Sequence, residues 1–365
     1  MQKQIANLDS QITQLKPIQT LVAKELAEPR PTHIFLRGDY RQQGERVKPG
    51  LPKLFRESNV DEDSQPFNRL QLARWLVSAN NPLASRVAVN RYWAELFGNG
   101  LVNTPEDFGL KGSLPSHPEL LDWLTLYFEE HNRSLKQLLK VIVLSDTYRQ
   151  SSVTHDAQML ADPENRWLAR GPRFRLDAEI VRDNILSISG LLSRKAKGPP
   201  IYPQQPDGLW TKIGGQVYNY ETSPAAEANR RSIYIVWKRA SPYPSLMNFD
   251  ATSRLVCSVK RSRTNTPLQA LTLLNDPVYV AAAKSLAQRI IFEREGDSWD
   301  DKLQFAFWLT LSRPPSSMEQ SRLRAFFDLA LAEFPDSIPQ DEKESKAWFD
   351  VATVLLNLHE TITKE

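Results

Sequence analysis

Along most of the chain, apolar side chains recur every three or four residues, the spacing that puts them on one face of an α-helix. The first instance is Ile5, Leu8, Ile12 and Leu15, a stripe interrupted by Pro17 and too short for a coiled coil. It predicts a helix over the N-terminal 1–26 segment that needs a partner outside the chain, as the tail of a preceding module would. From Ala27 the pattern breaks. His33 to Leu36 reads as a short strand among the punctuating Gly38, Gly44, Pro49, Gly50 and Pro52, and the acidic "SNVDEDSQP" behind it reads as a loop.

Helical periodicity returns at Asn68, where Leu70, Leu72, Ala73, Leu76 and Val77 form an apolar face. Asn81-Pro82 then signals a helix start, and Gly98 a left-handed stop. Ser116 and Glu119 have capping-box spacing ahead of "LLDWLTLYFEEH", and Ser134 precedes "LKQLLKVIVLSDTY"; these two helices are expected to pair. In "RFRLDAEIVRDNILSISGLLS" the period places Leu176, Ile180, Ile185 and Ile188 inward and Asp177, Glu179, Arg182 and Asp183 outward. A long loop rich in proline, glycine and aromatics occupies 194–231. The alternation of Ile233, Ile235 and Trp237 with Tyr234 and Val236 predicts a strand. Residues 264–365 return to helix, with Thr266, Pro267 and Gln269 as one start, Asp276-Pro277 as another, and Ser316 with Glu319 as a capping box. The fold class is therefore mostly α: a multi-helix globular domain with a few short β-strands and one long loop.

Composition narrows the picture. Length admits one large or two ordinary domains. Basic and acidic residues nearly cancel (46 against 43, net +3), so there is no global field that would draw nucleic acid or an anionic membrane. One cysteine excludes an internal disulfide and any Cys-x-x-Cys metal or haem attachment in this chain. No apolar run is long enough for a membrane span, and "QKQIANLDSQITQ" is too polar for a signal peptide.

Taken in order, "RLQLARWLVSANNPLASRVAVNRYWAELFGNGLVNTPEDFGLKGSLPSHPELLDWL", "SLKQLLKVIVLSDTYRQSS", "RFRLDAEIVRDNILSISGLL", "RSIYIVWKR" and "NTPLQALTLLNDP" resemble the planctomycete-specific C-terminal domain of unknown function. The likeness covers residues 27–365, and that family commonly follows a planctomycete cytochrome c domain. The resemblance implies an exported, extracytoplasmic, envelope-associated protein fused to haem-binding or carbohydrate-related modules. It offers no agreed catalytic residues. Because this sequence shows neither a signal peptide nor Cys-x-x-Cys-His, it is expected to be a fragment or split version. No cofactor is expected in this chain, and haem only in a missing or separate module; a cytochrome c-type domain is the implied partner.

Candidate chemistry is sparse. The five histidines include no pair at metal-ligand spacing. His117, just before a helix, and Asp107 would suit a general acid/base pair, although a capping sequence accounts for His117 without chemistry. Glu179 and Asp183, four apart, can act together on one substrate or cation; alternating signs favour instead an ion-pair network with Arg173, Arg175 and Arg182. Tyr202, Trp210, Tyr218 and Tyr220 in the long loop either stack on a ligand such as a polysaccharide or fold back as a lid. Cys257 is expected to be a small buried hydrophobe rather than a reactive thiol. Lys260, Arg261 and Arg263 precede a helix N-terminus, where the dipole disfavours cations, so they require negative charge. A bound anion is one source; the internal carboxylates Asp177, Glu179, Asp183 and Asp250 are the favoured other.

Three functions follow as expectations: an accessory module binding a glycan or anionic ligand and docking to a partner domain; a carbohydrate-active hydrolase or substrate-binding part of an oxidoreductase; or a scaffold without ligand. Convergence of His117, Asp107 and the cationic run beneath the aromatic loop would favour an enzyme.

Overall fold

The computed structural model describes residues 2–14, 20–26, 28–55, 67–210, 219–293, 298–333, 335 and 337–364. Leu15, Pro17 and the acidic loop predicted at 58–66 lie outside them. The fold is mostly helical, with two small antiparallel sheets of two strands each, and it divides into two compact units, 1–84 and 85–365.

Within the first unit, α1 (Gln2–Gln14) carries the predicted stripe, and Ile5, Leu8 and Ile12 are exposed. Strands β1 (Thr32–Phe35) and β2 (Gln43–Val47) form a hairpin with an irregularity between His33 and Phe35. Helix α2 (Arg69–Leu76) starts as its sequence directs: Asn68 Oδ1 accepts from the Gln71 N–H (3.0 Å) and Gln71 Oε1 from the Asn68 N–H (2.6 Å). Its apolar face is not buried, contrary to the expectation. Leu70, Leu72, Leu76 and Val77 are exposed because both hydrophobic clusters of the described residues are built downstream of α2.

The second unit holds both clusters. The smaller is formed by α3 (Ala84–Phe97), α4 (Pro118–Glu130) and α5 (Leu135–Val143), which bury Val89, Trp93, Leu124, Phe128, Leu138 and Ile142. Asn81 Oδ1 caps the start of α3 by accepting from Leu83 and Ala84 N–H groups, and Gly98 ends it at φ 85°. The predicted Ser116–Glu119 capping box does not form. Pro118 takes the first helical position, so His117 becomes the N-cap residue and Ser116 Oγ bonds the His117 ring instead. Two short helices, α6 (Asp146–Arg149) and α7 (Asp156–Ala161), lead to strand β3 (Phe174–Arg175).

The larger cluster packs α8 (Ala178–Ile188) with α10 (Pro244–Asn248), α11 (Pro267–Asn275), α12 (Pro277–Phe292), α13 (Trp299–Leu311), α14 (Ser317–Ala332) and α15 (Gln340–Asn357); the short α9 (Ala225–Ala228) lies in the long loop. Helices α12 and α15 pack against each other, and alanines at 282, 283, 287, 347 and 352 on them are buried, small side chains of the kind that let helix axes approach closely. Trp348, 1 % exposed, fills the space between α15 and its neighbours, stacking on Trp299 (6.0 Å) and meeting Phe327 (5.1 Å). After α16 (His359–Ile362), strand β4 (Thr363–Lys364) pairs antiparallel with β3, Phe174 opposite Lys364.

Three further expectations are corrected. Ile180 is exposed whereas Arg182 is fully buried on α8, in line with Ala178 and Ile185. The segment predicted as a strand after 231 is instead a 3₁₀ turn over Ser232–Tyr234 followed by a single bridge, Ile235 to Ile201; Ile233 points to solvent while Ile235 is buried. The backbone of the segment bonds to itself: the N–H groups of Tyr234 and Ile235 donate to the carbonyls of Arg231 and Ser232 (both 3.0 Å). Among the described residues Ile201 alone pairs beside it, donating to Tyr234 (2.8 Å) and accepting from Val236 (2.9 Å). Cys257 is exposed, because 252–265 is an irregular segment without a buried face for it.

Candidate functional site

The end of α3 and the irregular segment before α11 enclose a pocket of about 430 Å³, lined by Gly98, Asn99, Lys260, Arg261, Ser262 and Arg263. Gly98 is required twice over at this corner. Its positive φ suits no β-carbon, and a β-carbon there would come within 2.8 Å of the Phe174 ring. Helix α3 consequently stops at the pocket, where the Gly98 carbonyl just past its electronegative end accepts from Arg263.

The three cations meet different partners. Arg261 forms a two-pronged pair with Glu179 (2.5 and 3.2 Å) and lies 3.7 Å from Asp177. Arg263 donates to the Gly98 carbonyl (3.0 Å), sits over the Phe174 ring (4.4 Å) and is 3.9 Å from Asp177. Lys260 Nζ donates to two neutral acceptors, Asn99 Oδ1 (3.3 Å) and Asn103 Oδ1 (3.0 Å). Internal carboxylates thus meet Arg261, the helix terminus takes Arg263, and Lys260 keeps an exposed charge with only neutral hydrogen-bond partners. Burial, the largest single influence, raises the Glu179 carboxyl, but the hydrogen bond from Arg261, a backbone hydrogen bond and the charges of Arg261 and Arg254 together outweigh it and hold the group below the ordinary glutamate value. The same bond raises Arg261.

The other two carboxylates proposed for this role are engaged elsewhere. Asp250 pairs with Arg175 and accepts from the Thr264 N–H (2.8 Å), bracing the segment from behind. Asp183 accepts from the N–H and hydroxyl of Ser232 (both 2.7 Å), and burial raises its pKa despite those bonds. Glu179 and Asp183 therefore serve different partners, although they stand four apart on α8.

His117 and Asp107 are not brought together by any hydrogen bond or ion pair among the described residues. Asp107 Oδ1 closes its own turn on the Gly109 N–H (2.7 Å), and the His117 ring meets Trp167 edge-on (6.2 Å). In the long loop Tyr202, Trp210 and Tyr220 pack against one another, with ring centroids 4.9–6.1 Å apart at steep angles. Trp210 is 9 % exposed and donates to the Ser241 carbonyl (3.1 Å). They meet edge to face in a cluster of their own, and Tyr218 lies outside the described residues. The described residues contain no group of His, Cys, Asp or Glu side chains able to hold a metal ion, and none of their helices is long and apolar enough to cross a membrane.

Residues that sequence reasoning passed over complete the arrangement. Asn99 and Asn103 flank the pocket, and "FGNGLVN", an asparagine-rich turn directly after a helix, was the available signal. Arg182 and Arg230, both fully buried, hold the long loop by its carbonyls: Arg230 donates to those of Lys195, Lys197 and Pro199. The family model PSD1, described as a protein of unknown function (DUF1553), matches residues 68–327, which include every residue of the cationic pocket. No curated protein and no solved structure matches the chain.

Proposed function

The chain belongs to this PSD1 family of unknown function, the planctomycete cytochrome c-associated C-terminal domain, and we propose that within it the chain acts as an accessory binding module for an anionic ligand. The observation that carries this reading is Lys260: an exposed ammonium in an open pocket, beside two arginines, with two asparagine oxygens and no carboxylate as its hydrogen-bond partners. A carboxylate or sulfate entering there gains charge-assisted hydrogen bonds without displacing an internal salt bridge of Lys260. Polysaccharides rich in uronic acid or sulfate are the fitting glycans, recognised by charge. Stacking on the loop aromatics is less favoured, since Tyr202, Trp210 and Tyr220 pack edge to face in one cluster and Trp210 is buried. Docking to a cytochrome c-type partner and an extracytoplasmic setting extend the proposal by family context.

Calorimetric titration of the full chain with sulfated, uronate-rich and neutral polysaccharides tests it. Binding should be confined to the charged polymers and weaken with salt. Lys260→Ala and Arg263→Ala should each lower affinity about tenfold or more, the usual worth of a charge-assisted hydrogen bond. Equal binding of neutral polymers, or unchanged affinity in the double variant, would overturn the reading.

A further inference from the structure

Next to the cationic pocket lies a second depression of about 110 Å³. Trp93 and Phe97, stacked 4.0 Å apart, provide apolar floor, while Asn99, Asn103, Ser113 and Asn165 bring amide and hydroxyl groups to its walls. Asn99 lines both spaces, and Asn99 with Asn103 holds Lys260, so the cation stands at the boundary between them.

Asn165 gives the depression its chemistry. The residue adopts a left-handed backbone conformation (φ 51°) and donates from Nδ2 to the Arg170 carbonyl at 2.8 Å. That bond fixes which end of the amide is which, because only the NH₂ end can donate to a carbonyl. Oδ1 is therefore the remaining end, and it is buried without a hydrogen-bond donor among the described residues. A buried acceptor left without a donor is unfavourable, and Asn165 is one of the residues lining the depression, so a donor from whatever fills the space would relieve it. An uncharged hydroxyl meets that need, and apolar floor beneath polar walls suits the C–H face of a sugar ring.

We propose that this depression receives the hydroxyl-bearing part of the same ligand whose anionic group sits at Lys260 and Arg263, which makes the ligand class a hydroxylated anion: a sugar acid or a sulfated sugar. The inference rests on the anion-binding reading of the neighbouring pocket. A hydroxyl of the ligand donates to Asn165 Oδ1, and Asn103 and Ser113 offer further polar contacts alongside.

The test is calorimetric titration of the full chain with galacturonate and galactose 6-sulfate against the bare anions acetate and inorganic sulfate. Each sugar anion should bind more tightly than its bare counterpart, and the two pairs report separately on carboxylate and sulfate. Asn165→Gly removes the acceptor while tolerating the left-handed backbone, and Ser113→Phe fills the space from an exposed position. Both should lower sugar-anion affinity about three- to tenfold, the worth of one hydrogen bond, and leave bare-anion affinity unchanged. Should Asn165→Gly fail to fold, Ser113→Phe decides alone. Sugar anions that bind no better than bare ones, or wild-type affinity in the folded variants, would overturn the proposal while Lys260-dependent sulfate binding kept the anion site intact. If no anion binds, the site itself falls.

Discussion

Two cations one position apart should answer substitution in opposite ways. Arg261 neutralises Glu179, which is only 18 % exposed, so Arg261→Ala leaves a partly buried carboxylate without its partner. We expect a loss of about 1–3 kcal/mol in urea unfolding. Lys260→Ala removes an exposed charge bonded to two neutral amides, and its unfolding midpoint should stay within about 0.5 kcal/mol of the wild type while anion binding falls. Equal destabilisation by both would show that Lys260 is a structural cation. The requirement for negative charge at this run was legible in the sequence, as were Asp177 and Glu179 among its sources. The share supplied by a helix C-terminus was not, because the Gly98 carbonyl reaches Arg263 across 165 residues of chain.

Among the elements, the connection between α13 and α14 is stapled to α16 by one side chain. Arg313 forms two-pronged pairs with Glu319 (2.8 and 3.0 Å) and Glu360 (2.6 and 2.8 Å). The Arg313 hydrogen bond lowers Glu319 from 4.5 to about 2. A carboxyl depressed on folding stabilises the native state fully above its unfolded value near 4.5, and that contribution disappears as pH falls toward 2. Discounted for partial solvent screening, it is about 1–2 kcal/mol. Arg313→Met should therefore be destabilised at pH 7, with the difference from wild type shrinking between pH 4.5 and pH 2 in urea melts; a constant difference would remove the carboxylate from the account. Helix starts were legible wherever one short motif satisfies its own backbone, as at Asn68, Asp276 and Ser316. The β-like alternation after Arg231 misled because Tyr234 and Ile235 bond locally within a turn and, of the described residues, only Ile201 pairs beside them. Periodicity placed Ile185 and Ile188 of α8 inward correctly but misplaced Ile180 and Arg182, since it scores arginine as outward and has no means of counting the acceptors that make a buried one tolerable.

Across the whole molecule, the hydrophobic clusters and the candidate site are assembled on different sequence scales. Helices α12 to α15 follow one another and bury one another, a largely local construction. The cationic pocket instead joins residues 161 apart at Lys260 and Asn99, and Lys364 reaches 268 residues back to the Leu96 carbonyl at the same corner. Pairing of β3 with β4 is what brings that lysine home. Distant contacts are made late in folding, since the entropy of closing a long loop precedes their reward. During refolding, competence to bind sulfate should therefore return with the slowest phase, after most tryptophan fluorescence has recovered. Simultaneous recovery in stopped-flow would mean that the corner closes without Lys364. A corner whose parts lie so far apart along the chain gathers its cations on a scaffold whose helices have already packed.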